Sequence, residues 1–338
     1  MFKRILIVVD ARPAAGAAIE EGLALARTHG AEVLFFSVLP RYSVPLSDAP
    51  PFAAMSPKQF LQEVKAAAEH LHAQATLMAH KAAVTSGSAT GSGDDDAACI
   101  VQAARTERCD LIVVGSEGRN ALLRLLTGSV LPGLVTLSPV PVMVCKVHLS
   151  GPGTERPDLQ QPRGGDGLRN ILVLLEDHRH AQSAVIEGLR LAQVHGAQVL
   201  FVHAIPRDVA PMVDMPIMAA DSGEVLLRAL QEQSRQLLAS AQASAREAGV
   251  ASHSISLPAN HAGREIAKLA ADKGCDMIVV ATDGRNALVR LMSGSVIPGL
   301  ITAASMPLLI CQVPPQPHPH PDPSSPTATT RATPGPLA

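Results

Sequence analysis

The sequence predicts an α/β protein: two tandem, doubly wound, open parallel sheets with helices on both faces. Three observations predict it. Short apolar runs alternate with helix-like stretches, as strands and helices do around a parallel sheet. The whole pattern recurs after 166 residues. The apolar content comes from Ala, Leu and Val, with aromatic residues at only 2% of the 338 and no Trp, a composition that suits Ala-rich helices packed on buried aliphatic strands.

In the first copy Ile5 to Val9 is a strand. Ala14 to Thr28 is a helix with apolar positions at Ile19, Leu23 and Ala26, closed by Gly30, since glycine accepts the left-handed C-cap conformation. Val33 to Leu39 is a second strand. The proline-rich stretch from Pro40 to Pro57 is too long for an ordinary βα connection and reads as a lid. Gln59 to Ala83 is a long Ala-rich helix, and the polar segment Thr85 to Asp96 holds a short edge strand or none. Ala97 to Arg105 is a helix, Leu111 to Val114 a buried strand, Ser129 to Leu137 a helix, and Val140 to Val147 a last strand. The second copy repeats this from Ile171 to Val313. The offset lays Cys109-Asp110 on Cys275-Asp276 and His29-Gly30 on His195-Gly196, and 19 of the 35 residues from Leu111 to Cys145 are identical in Met277 to Cys311. So long a period means two whole domains, over residues 1–148 and 168–313. Between them 149–167 is a linker rich in Gly, Pro and charge, and 314–338 is a Pro-rich tail expected to be disordered.

Composition excludes several classes. A net charge of -2 offers no field for nucleic acid, and the scarcity of aromatics removes stacking platforms. Five cysteines, Cys99, Cys109, Cys145, Cys275 and Cys311, form no C-x-x-C pair, which speaks against a disulfide framework or structural zinc and for a reducing cytosol. No apolar run approaches the roughly 20 residues of a membrane span, so a soluble, cytoplasmic protein is expected.

The stretch Val113 to Ser129 carries the chemistry. A buried strand breaks into the glycine-spaced loop Gly115-Ser116-Glu117-Gly118 and ends at Gly128-Ser129, a helix-start signal; Pro132 then falls in the first turn, where its missing N–H costs nothing. Free helix N–H groups beside glycines suit a phosphate, and a tight βα connection with no ligand explains the same residues. Ligands of doubly wound sheets bind beyond the carboxyl ends of the strands, where strand order reverses. If the strands ending at Asp10 and Gly115 are neighbours there, the pair suggests a nucleotide, with the Asp10 carboxylate accepting from ribose hydroxyls or base amino groups. The other reading of Asp10 is an N-cap for the following helix. Arg119 and Arg124 either supply charge to a polyphosphate or are simply solvated. Asp94-Asp95-Asp96 reads as an acidic helix cap, and His29 and His195 as answers to the dipoles of the helices they end. The tail histidines His318 and His320 are weak metal candidates, and no metal site is assigned. Neither a P-loop nor G-x-G-x-x-G is present, and no hydrolase triad order or nucleophile elbow is found.

The spacing Gly115-x-x-Gly118, nine residues, Gly128-Ser129 resembles the G-2x-G-9x-G-[ST] signature of the ATP-binding branch of the universal stress protein family. Ile5 to Asp10 is similar to that family's first strand, Gly30 to Val33 to the start of its second, Cys109 to Gly115 to its fourth, and Pro139 to Val144 to its last. The resemblance implies an adenine nucleotide alpha hydrolase-like sheet of order 3-2-1-4-5, domains paired through their last strands within one chain, a homodimer as a further option, and ATP as ligand, with Mg2+ as an optional companion. Carried over, Val9, Asp10 and Val38 would lie near adenine and ribose, and Val114, Gly115, Gly118, Gly128, Ser129 and Val130 would hold ribose and phosphates. Leu131 and Leu134 depart from the pattern where members carry polar residues near the phosphates. In the second copy the matching set is Glu176, Asp177, Ala281, Gly284, Gly294, Ser295 and Val296, with Ala281 replacing the first glycine and Glu176 the aspartate.

The implied function is a tandem stress-response protein that binds ATP, at least in its first domain, as a regulatory or sensing ligand. Any hydrolysis is expected to be slow, since neither a general base nor a phosphate-binding lysine is evident. The alternative is a nucleotide-independent interaction or dimerisation module, drawn from Ala281, Leu131 and the long loops Pro40 to Pro57 and Pro206 to Pro216. A nucleotidyl-transfer enzyme is the third option, without a catalytic constellation to support it.

Overall fold

The computed structural model describes residues 1–42, 56–116, 130–146, 167–207, 221–283 and 296–313. Most of both proline-rich loops, the linker, the tail and the two glycine loops, with Gly118, Gly128, Ser129, Arg119, Arg124, Gly284, Gly294, Ser295, His318 and His320, lie outside the described residues.

The first copy runs β1 (Arg4–Val8), α1 (Pro13–His29), β2 (Glu32–Val38), α2 (Pro57–Lys81), β3 (Ser86–Gly91), α3 (Asp96–Thr106), β4 (Leu111–Ser116), α4 (Val130–Leu137) and β5 (Val142–Lys146). The second runs β6 (Asn170–Leu175), α5 (His178–His195), β7 (Gln198–Ile205), α6 (Asp221–Glu247), β8 (Ser252–Pro258), α7 (Ala262–Asp272), β9 (Met277–Thr282), α8 (Val296–Ala303) and β10 (Leu308–Gln312). Each half has strand order 3-2-1-4-5, and the halves join: β5 pairs antiparallel with β10 through Val144, Met143 and Val142 opposite Leu308, Leu309 and Ile310. All other pairings are parallel. The two expected sheets are thus one ten-stranded sheet with β3 and β8 at its edges.

Period-two alternation sends successive strand residues to opposite faces. Ile5, Ile7, Val113 and Met143 pack with α1, α2, α5 and α6, whereas Leu6, Val8, Ile112 and Val144 pack with α3, α4, α7 and α8. Both faces are covered, which is why the inner strands read as unbroken apolar runs. β3, with the sequence SGSATG, is a true strand; its polar residues suit an edge that one neighbour and solvent share.

The repeated Cys-Asp pair has a local task. Asp110 accepts from the backbone N–H groups of Lys3 and Arg4, and Asp276 from those of Arg169 and Asn170, so each carboxylate fixes the start of its copy's first strand. Gly30 and Gly196 end α1 and α5 at φ of 62° and 64°. The two histidines before them do more than answer helix dipoles: His29 Nε2 lies 3.2 Å from His195 Nε2, joining the halves at positions one repeat apart. Leu168 N–H donates to His195 Nδ1 at 3.1 Å and Phe2 N–H to His29 Nδ1 at 3.4 Å. Each ring thus accepts a backbone N–H at Nδ1 and meets its counterpart through Nε2.

Candidate functional site

β1 and β4 are neighbours, with Ile7 level with Val113. β2 lies on the far side of β1, so strand order reverses here. Asp10 and Ser116, each three residues beyond that pair, therefore lie at the same carboxyl edge. Val38, Val114 and Val130 share the α3/α4 face of the sheet, and Val130 opens α4. Val9 belongs to the opposite face, with its N–H bonded to Phe36 O and its carbonyl to Ser37 Oγ. Leu131 and Leu134 are 7% and 0% exposed in the core. They are apolar because α4 packs through them.

Asp10 is not an N-cap. The cap position of α1 is Arg12, without a side-chain bond; Asp10 accepts from Arg12 N–H at 2.8 Å and from its guanidinium. The carboxylate is one-third exposed, so it is held in place at the crevice while keeping lone pairs toward solvent. Gly115 has a packing reason to be glycine. A Cβ there would lie 2.1 Å from the Ala14 carbonyl oxygen and 2.4 Å from its carbon, so the close backbone approach is made by the first turn of α1.

Sequence reasoning missed two groups at this edge. Ser116 Oγ and Lys146 Nζ, on residues paired across β4 and β5, are buried without a hydrogen-bond partner among the described residues. Burial pulls the Lys146 ammonium down to about 8. The acidic run behaves as a cap: Asp95 accepts from Ala97 and Ala98 N–H, and Asp94 pairs with Arg41.

The second copy differs at the same edge. Asp177, one position past Glu176, is the N-cap of α5, accepting from Arg179 N–H at 3.0 Å and His180 N–H at 2.9 Å. Its carboxylate also holds His180 Nδ1 at 2.7 Å. Burial would raise the Asp177 carboxyl, and the bonds from His180 and Arg179 outweigh it, leaving the group below its ordinary value. The Glu176 carbonyl accepts from His203 Nε2, so His203 does for β6 what Ser37 does for β1. Ala281 is 1% exposed. Its methyl occupies the space that the α1 backbone takes beside Gly115, so the start of α5 cannot come equally close. Val296 opens α8, and the Gln312 amide at the end of β10 donates to Val135 O of the first copy.

Among the described residues no group of three or more His, Cys, Asp or Glu side chains is placed to enclose a metal ion. A shallow pocket of about 720 Å³ lies at the amino edge of the second copy, lined by Arg169, Gln193, Gln198 and the backbone around Gly196 and Gly249. It lies away from the reversal of strand order and gathers no charged cluster. No described helix is long and apolar enough to cross a membrane.

This doubled architecture is matched by known proteins. The sequence model of the universal stress protein family matches residues 1–146 and again 167–312, so the chain belongs to that family, carrying two copies of its domain. It is similar to a universal stress protein of Methanocaldococcus jannaschii, 31% identical over 156 residues that make up 45% of this chain and 87% of that one. In three dimensions it resembles a universal stress protein from Archaeoglobus fulgidus, with a TM-score of 0.64 at 15% identity, covering 92% of this chain and 96% of the other. A functionally unknown protein from Pseudomonas aeruginosa superposes with a TM-score of 0.55 at 14% identity, over 92% and 93% of the two chains.

Proposed function

We propose that this protein is a cytoplasmic stress-response protein whose first domain, residues 1–148, binds an adenine nucleotide, ATP, as a regulatory or sensing ligand. What supports the reading is that β1 and β4 are neighbours where strand order reverses, which puts Asp10 and Gly115 at the same carboxyl edge, with Val38, Val114 and Val130 on one face of the sheet. A carboxylate beside a glycine loop and a helix start provides acceptors for ribose hydroxyls and N–H donors for phosphates. Gly118, Gly128 and Ser129 complete the signature in sequence. The second domain, 168–313, is the weaker candidate, because Asp177 is already bound to α5 and Ala281 fills the strand end. The protein works by binding rather than turnover, with hydrolysis slow.

Calorimetric titration with ATP tests the reading. Wild type is expected to bind, Asp10→Asn to bind at least tenfold more weakly, and Glu176→Gln to bind as wild type does. Absence of binding by wild type, or equal binding by all three proteins, refutes it.

One observation favours a second reading, a nucleotide-independent interaction module. Arg12 already engages Asp10, and the α1 backbone already explains Gly115, so neither residue needs a ligand. Captured partners that do not change when ATP is added, together with no ATP effect on melting temperature, would favour this reading.

A further inference from the structure

We propose that Lys146 Nζ and Ser116 Oγ together receive a phosphate group of the nucleotide bound in the first copy, and so set a preference for phosphorylated over bare nucleosides. The inference rests on the nucleotide reading above and adds to it the cation that the glycine signature lacks.

The two side chains are neighbours by register. β4 and β5 run parallel, with Ser116 opposite Lys146 at their carboxyl ends. Val114 and Val144, two residues earlier on each strand, pack on the α3/α4 face, and period-two alternation puts Ser116 and Lys146 on that face as well. α4 leads back from the carboxyl edge to the start of β5, so its first residue, Val130, lies at the same edge. Neighbouring strands stand about 4.8 Å apart, a spacing from which both donors reach oxygens of one phosphate group.

Neither donor is otherwise used. Ser116 is 6% exposed, and among the described residues neither its Oγ nor Lys146 Nζ has a hydrogen-bond partner. An ammonium taken out of water without a counter-charge is costly, and burial pulls Lys146 down to about 8. The strand on its other side offers no relief: across the seam the chain entering β10 brings Met306 and Leu308, both buried and apolar. A phosphate supplies both the charge that Lys146 lacks and the acceptor that Ser116 lacks, through short charge-assisted bonds. Lys146 as a whole residue is partly exposed, so its flexible four-carbon stem can carry the ammonium to an anion at the crevice while β5 stays in place.

The second copy makes different use of these positions. One repeat further on stand Thr282 and Gln312, again paired in register, and the Gln312 amide donates to Val135 O of the first copy. A neutral amide committed to the seam cannot neutralise a phosphate. The ammonium therefore marks the first copy, as Asp10 and Gly115 do, where the second copy has Glu176 and Ala281.

Calorimetry on the full chain with ATP, adenosine and inorganic phosphate tests the pair. Wild type is expected to bind ATP roughly tenfold or more tightly than adenosine, and free phosphate far more weakly than ATP. Lys146→Gln, a side chain that the mirror position already accommodates, should lose roughly 10- to 100-fold in ATP affinity and nothing in adenosine affinity. Ser116→Ala should lose roughly 3- to 10-fold for ATP, and Lys81→Gln, at an exposed lysine on α2, should lose nothing. An ATP-to-adenosine ratio unchanged in Lys146→Gln overturns the proposal and leaves the nucleotide reading standing, whereas wild type that binds neither ATP nor adenosine removes both. Free phosphate bound as tightly as ATP, and lost in Lys146→Gln, overturns the assignment to a nucleotide. If the variant folds poorly, the wild-type Lys146 Nζ 15N resonance decides: it should move with ATP and stay with adenosine, and a resonance that ignores ATP overturns the proposal.

Discussion

Replacing Gly115 by alanine should damage the first half of the molecule far more than its mirror substitution damages the second. The new methyl carbon would stand 2.1 Å from the Ala14 carbonyl oxygen and 2.8 Å from the Ala14 Cβ. The obstacle is helix backbone, so no rotamer relieves it and the first turn of α1 must move by roughly 1 Å. Overpacking costs about 1–3 kcal/mol, and a backbone obstacle places this change near 3. The reverse change, Ala281→Gly, removes one methyl group buried at 1% exposure. It costs about 0.8 kcal/mol for that group and about 0.5–1 for glycine in a strand, near 1.5 in all. Denaturant unfolding followed by far-ultraviolet circular dichroism compares the two. A Gly115→Ala protein within about 0.5 kcal/mol of wild type would refute the reasoning, because α1 would then rest only loosely on β4.

Three further outcomes follow from the same packing. Asp177→Ala should cost about 1–2 kcal/mol through the lost cap, whereas Asp10→Ala, which caps nothing and loses an exposed ion pair, should cost about 0.2–1; equal losses in denaturant melts would contradict the difference between the copies. Burial, then the charge of His195 and the N-terminal amine, press His29 down to about 4, and burial lowers His195. The unfolded chain therefore takes up protons near 6.5 that the fold refuses. Stability should be whole above that pH and fall as pH drops toward 4, and His29→Gln should flatten the fall in urea melts at pH 7, 6 and 5. Only Cys99 of the five thiols is partly exposed, while burial, with Glu21 and Glu187 respectively, holds Cys145 and Cys311 well above the ordinary thiol range. Iodoacetamide should label Cys99 first in the native protein, and comparable labelling of Cys145 would show that the seam between the halves opens.

The parts of the fold legible in the sequence are those where burial writes a pattern. Ile5 to Val9 and Leu111 to Val114 read as strands because both sheet faces are covered, and Gly30 and Gly196 read as helix ends because their backbones are left-handed. β3 was ambiguous for the opposite reason: Ser86 to Gly91 is an edge with little to bury. At the site, the sequence brings Asp10 and Gly115 together through strand order. It does not disclose that Arg12 holds the carboxylate or that Ala14 fills the glycine's space, since both depend on where α1 begins. The cap that was the other reading of Asp10 occurs at Asp177, one residue further along in the other copy, where the His180 ring adds to its bonds. Nor could spacing alone show that His29 and His195 touch, because their contact requires the two halves to share one sheet.

The central claim rests on a ligand at the crevice between Asp10 and the glycine loop. Native mass spectrometry of the purified full chain with added ATP tests it most directly. The account predicts one adenine nucleotide per chain, bound at micromolar ATP and lost in Asp10→Asn while Glu176→Gln retains it. A chain that stays free of nucleotide at millimolar ATP, or that binds it equally well without the Asp10 carboxylate, would contradict the account.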